Sequence, residues 1–134
     1  MSAARHLSTA DLKNLPSAAS LGPARPDCCA ALTAPGWESL PASYDTGRLR
    51  LVGTLRAITP PPEPVLDEYH PAGSRFWSAD APVAPLYFPY NQSEAWQCAS
   101  CGRPFLRYTE SGGYYTEDRI RELDTARVVD APLP

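Results

Sequence analysis

The sequence predicts an α+β fold: a small, β-rich single domain of short antiparallel strands with one or two short helices. Three observations predict it. Sixteen prolines are spread along 134 residues, and a proline inside a helix removes a backbone donor and clashes with the preceding turn, so long helices are disfavoured. Residues 48–56 open with strict polar–apolar alternation, the period of a half-buried strand. Turn signals such as Pro35-Gly36, Asp45-Thr46-Gly47 and Ser111-Gly112-Gly113 recur at short intervals. The length fits one domain covering 1–134, and a composition of 43% hydrophobic and 20% charged residues is that of an ordinary globular chain.

Taken in order, Ser8 and Asp11 outline a capping box for a short helix beginning near Thr9, which Pro16 stops. Residues 1–26 therefore read as a helix followed by a proline-punctuated arm. Trp37 to Leu40 suits one helical turn. Gly53 interrupts the alternation of 48–56 and marks a bulge. The run Thr59-Pro60-Pro61-Pro62-Glu63-Pro64 reads as a stiff polyproline connector. Strands are expected at 65–70, 75–78, 83–88 and 94–98, and a hairpin pairs 105–108 with 114–115. Thr116 looks like a helix N-cap, with Glu117 and Asp118 in the first turn and Glu117 spaced to pair with Arg121. The span 94–124 is thus expected to hold a cysteine hairpin and a C-terminal helix, and Val128 and Val129 a last short strand.

The net charge of -3 and the single lysine, Lys13, argue against a nucleic-acid binder, which needs a basic stripe to neutralise phosphates. No window approaches the ~18 apolar residues of a membrane span. The N-terminus lacks the apolar core of a signal peptide, so the expected location is cytoplasmic. In a reducing compartment the four cysteines point to metal binding or redox chemistry before disulfides.

Cys98-Ala99-Ser100-Cys101-Gly102 carries the chemistry. Two thiolates about one turn apart, followed by a glycine free to take positive φ, suit a metal knuckle between two strands. A thioredoxin-like pair would instead open a helix, which Gly102 and Pro104 discourage. The segment 94–115 resembles the zinc-ribbon or zinc-knuckle class in the broad sense, through C-x-x-C-G and the hairpin pattern around it. The second C-x-x-C usual in that class is absent. A closed site needs four ligands, and the first ligand set is Cys28, Cys29, Cys98 and Cys101, holding one structural zinc ion per chain. A second set replaces one of the adjacent cysteines by His70; His6, near the terminus, is a poorer candidate.

No serine-nucleophile, phosphate-loop or dinucleotide motif is present. The functional expectation is a non-enzymatic, zinc-stapled interaction, adaptor or regulatory module for a protein partner. Aromatic residues on both sides of the knuckle (Tyr87, Phe88, Tyr90, Trp96, Phe105, Tyr108, Tyr114, Tyr115) and Arg103 and Arg107 between them are either its partner surface or its core. The main rival is a small zinc hydrolase using Cys98, Cys101 and His70 with Glu68 as base. A nucleic-acid-associated ribbon is the third reading.

Overall fold

A computed structural model describes residues 5–16, 34–42, 44–57, 59, 62–111 and 113–133. The described chain is built on one five-stranded antiparallel sheet. The strands are β1 (Glu38–Ser39), β2 (Leu49–Thr54), β3 (Glu94–Cys98), β4 (Pro104–Ser111) and β5 (Thr116–Glu122), in the spatial order β1-β5-β4-β3-β2. From β2 to β5 each strand pairs with the next in sequence, so the sheet is a meander. The connection between β2 and β3 is long, and the two-residue β1 closes the far edge against Ile120 and Arg119.

Directly opposed residues in a ladder share a face of the sheet, and the register here sorts the side chains into two layers. Ala95, Leu106 and Arg121 are cross-strand neighbours. Their face carries the larger core, where Leu106 and Tyr108 meet Leu7, Leu12, Trp37, Leu55, Tyr90, Leu123 and Val128. Trp37 packs edge-on to Tyr108 with ring centroids 4.9 Å apart. Trp96 and Phe105 are opposed on the other face. There a smaller cluster joins Leu49, Cys98, Phe105 and Ile120 to Ala34, flanked by Leu40, Tyr44, Trp96 and Cys101.

The N-terminal helix forms as expected. Helix α1 (Thr9–Lys13) is opened by a complete capping box: the Asp11 amide donates to Ser8 Oγ at 3.1 Å, and the Ser8 amide donates to Asp11 Oδ2 at 2.9 Å. Leu12 fixes it to the core. Just before it, the chain runs beside the end of β2, with Leu7 N–H donating to Thr54 O at 2.9 Å and Thr54 N–H to Arg5 O at 2.8 Å. Gly53 sits at the expected bulge, where the β2–β3 register shifts between Leu51 and Gly53. A Cβ on Gly53 would lie 2.4 Å from Arg5 O, so the glycine is what lets the N-terminal segment approach. Asp45 caps the 3-10 turn Thr46–Arg48, matching the expected turn.

Other expectations are corrected. The helix placed at Thr116 is strand β5, and 94–124 therefore contains no C-terminal helix. Helix propensities differ by only about 0.7 kcal/mol per ordinary residue, whereas the open edge of β4 offers a row of backbone groups that β5 satisfies over seven cross-strand pairs. The charges read as a helical dipole pattern serve the ladder instead. Arg119 bridges Glu110 at 2.6 Å and Glu117 at 3.2 Å, and Thr109 Oγ1 donates to Asp118 at 2.8 Å. Ile120 and Arg121, adjacent in sequence, are buried on opposite faces, which only an extended chain allows. Trp37 to Leu40 is not a helical turn but holds the edge strand β1. Residues 65–70 and 75–78 form no strands, and 83–88 contributes only one parallel bridge, Val83 to Val128. That bridge is also all that forms of the expected final strand. Pro60 and Pro61 of the polyproline run, and the whole 17–26 arm, lie outside the described residues.

Candidate functional site

β3 ends on Cys98 and β4 begins at Pro104, so the C-x-x-C-G motif occupies the turn between two paired strands. Three backbone bonds shape it. Cys98 N–H donates to Arg103 O at 2.9 Å, Gly102 N–H to Cys98 O at 2.8 Å, and Ala99 N–H to Arg48 O at 2.9 Å. Gly102 has φ +80°, the left-handed conformation that motivated a glycine there; an L residue with a Cβ is strained by it. Cys98 is buried and Cys101 half-buried, both against the smaller hydrophobic cluster.

The turn is braced from below. Arg103 is buried and its guanidinium donates to Glu122 Oε1 at 3.0 Å. Gln97 Nε2 donates to Gly102 O at 3.4 Å, and Arg50 donates to Gln97 Oε1 at 3.0 Å. The Arg103–Glu122 pair anchors the turn to β5, because an ion pair this dry is broken only at the cost of an uncompensated charge.

The remaining sequence candidates divide. Cys28 and Cys29 lie outside the described residues. The segment bearing them rejoins the described chain at Ala34, which is 3% exposed, packs in the same cluster as Cys98 and accepts a 2.7 Å hydrogen bond from the Glu122 amide. Cys29 is five residues from Ala34 in sequence, a contour of at most roughly 18 Å. His70 does not join Cys98 and Cys101: its Nδ1 lies 2.7 Å from Ser74 Oγ and its Nε2 2.8 Å from Glu68 Oε1. Among the described residues no group of three or more His, Cys, Asp or Glu side chains is placed to hold a metal ion. The Cys98, Cys101 and His70 triad of the hydrolase reading is therefore not assembled. His6 is exposed and bridges Thr54 through its backbone.

The aromatic and arginine residues around the knuckle are mostly core. Phe105, Tyr108, Tyr90, Tyr87 and Arg103 are buried. Arg107 stacks over the Trp96 ring at 4.7 Å. Tyr114 and Tyr115, by contrast, are exposed at the tip of the β4–β5 hairpin, at 104% and 56%, and Trp77 is 64% exposed.

Two arrangements were not legible in the sequence. Arg121 is fully buried in the larger core, donating to Tyr90 OH at 2.5 Å, Ala81 O at 2.7 Å and Ala79 O at 3.2 Å. Its helical reading hid this role. A mainly apolar cavity of about 820 Å³ opens between Leu7, Leu55, Val65, Pro85, Leu86 and Leu133; these residues are too far apart in sequence to signal it.

No protein-family model, curated protein or solved structure matches this chain. The fold and the β3–β4 turn define it as a small antiparallel-sheet domain with a C-x-x-C-G turn, and no helix in its described residues is long and apolar enough to cross a membrane.

Proposed function

We propose that the chain is a zinc-stapled protein-interaction module, in which Cys28, Cys29, Cys98 and Cys101 hold one structural ion. The observation that carries this reading is the turn itself. Two cysteines bracket a hairpin whose next residue, Gly102, takes φ +80° and donates back to Cys98 O. The position of Ala34 in the same cluster supports the choice of partners, since five residues of chain separate it from Cys29, a reach of at most roughly 18 Å. Four thiolates close the coordination sphere of zinc and leave no open position for chemistry. The ion then joins the N-terminal third of the chain to the β3–β4 hairpin, and its binding energy becomes folding energy. The partner-facing surface in this reading is the hairpin tip with Tyr114 and Tyr115, because Arg103 and Tyr108 are committed to the interior.

Elemental analysis of protein purified without added metal tests the proposal. The expected result is one zinc per chain, lost in Cys98→Ser and in Cys29→Ser, with a lower melting temperature in each. Gly102→Ala weakens zinc retention by straining the turn. A metal content near zero, with all four thiols reacting freely in the native protein, refutes it.

A further inference from the structure

Glu68 and His70, considered for a zinc hydrolase, are brought together by the fold, but with a serine in place of the metal. Ser74 Oγ lies 2.7 Å from His70 Nδ1, and Glu68 Oε1 lies 2.8 Å from His70 Nε2. An ionised carboxylate only accepts hydrogen bonds. In the neutral imidazole, Nε2 therefore carries the proton and donates to Glu68, which leaves the Nδ1 lone pair to accept from the Ser74 hydroxyl. This is the order nucleophile, base and orienting carboxylate that activates a serine, with the two ring nitrogens exchanged relative to the usual hydrolase arrangement.

The backbone holds the three groups on both sides. Gly73 N–H donates to His70 O at 3.1 Å with Gly73 at φ +81°, which folds Ser74 back over the imidazole. Downstream, Ser78 Oγ accepts from the Arg75 amide at 2.9 Å while the Ser78 amide donates to Arg75 O at 3.0 Å. Upstream, Phe88 N–H donates to Asp67 O at 2.9 Å, and Tyr69 packs on Tyr87 with centroids 5.0 Å apart. The His70 and Glu68 side chains are 23% and 37% exposed, so the group is open to a solute.

We propose that Ser74 is an acyl-accepting nucleophile with His70 as its general base and Glu68 as the residue that positions the imidazole. The substrate class is a small carboxylic ester, because the group lies on a surface turn and outside the large apolar cavity. Ser74 Oγ forms a bond to the carbonyl carbon as its proton passes to His70 Nδ1. Collapse of the tetrahedral adduct breaks the carbon–oxygen bond of the ester, and the departing alcohol oxygen takes that proton. Water, deprotonated by the same nitrogen, then attacks the acyl-serine; the acyl–oxygen bond breaks and the proton returns to Ser74 Oγ, so that ester and water become acid and alcohol. The inference does not rest on the zinc reading.

The test uses the full chain with p-nitrophenyl acetate and, separately, a fluorophosphonate probe, followed by peptide mapping. A positioned general base contributes roughly 10²–10⁴-fold, so Ser74→Ala and His70→Ala are expected to lose at least about a hundredfold of the esterase rate. Both variants should keep the wild-type circular dichroism and metal content, and the probe should map to Ser74 in the wild type alone. Ser74→Cys retains a nucleophile and is expected to retain acetyl transfer. Glu68→Gln keeps the shape but lets the ring turn over, and should lower kcat with KM for the ester unchanged and with Ser74 still labelled, only more slowly, by the probe. Equal rates and equal labelling in wild type and a folded Ser74→Ala variant overturn the proposal. So does labelling confined to another residue.

Discussion

Replacing Arg121 by alanine is the sharpest test of how this fold is held together. Arg121 is 0% exposed and lies beside Leu106 in the ladder, which in turn pairs with Ala95, inside the larger core. Its guanidinium reaches across to the long β2–β3 connection, donating to Ala79 O, Ala81 O and Tyr90 OH, and lies 5.9 Å from the centre of the Tyr90 ring. No carboxylate pairs with it among the described residues. Its charge is instead offset by two carbonyl dipoles, a phenol oxygen and an aromatic face. Truncation to alanine strands two backbone carbonyls, at about 1–3 kcal/mol for each group left without a partner, and opens a cavity. The relief of a buried charge works in the opposite direction. The net expectation is a loss of about 2–5 kcal/mol, from the stranded carbonyls and the cavity together. Arg121→Met keeps most of the volume and sheds the charge, and should cost about half as much. Urea denaturation followed by tryptophan fluorescence measures both, provided the m-value is unchanged. Native-state hydrogen exchange should show residues 79–92 opening first in the alanine variant. A loss below about 1 kcal/mol, or exchange unchanged over that connection, would refute the clamp.

Burial raises the hydroxyl of Tyr90 above its ordinary value of 10.0, and burial does the same for Tyr108. The folded state thus favours the neutral phenols: their contribution is fully present below about pH 10 and is lost as pH rises beyond it. Ultraviolet titration should show Tyr90 and Tyr108 silent until the alkaline unfolding transition. The Tyr108 hydroxyl is buried with no hydrogen-bond partner among the described residues, so Tyr108→Phe should be neutral or stabilising by about 1 kcal/mol in the same urea assay. Gly53→Ala would press a methyl onto Arg5 O at 2.4 Å and Leu7 Cγ at 2.8 Å. It should cost about 1–3 kcal/mol and deprotect the Leu7 and Thr54 amides, and wild-type exchange at both positions would count against the close approach.

What the residues alone determined is what local chemistry decides. Ser8 and Asp11 cap α1 because both halves of the capping box lie within four residues. Asp45 organises its turn, Gly53 marks the bulge, and residues 94–98 form a strand. Gly102 takes positive φ because the hairpin turn needs it. Tertiary structure decided the segments whose local preference was weak. Residues 116–122 carry helical charge spacing, yet they pair with β4 because an unpaired ladder edge costs more than a helix propensity returns. Residues 65–70 and 75–78 have strand composition but join no ladder among the described residues and stay irregular. Burial of the aromatic residues was equally invisible in the chain, since it depends on which sheet face each occupies. The same holds for the two polar constellations. Arg121 meets acceptors 31 to 42 positions away in sequence. Ser74 meets His70 only after Gly73 turns the backbone at φ +81°, a geometry that residue types suggest and only the folded chain positions.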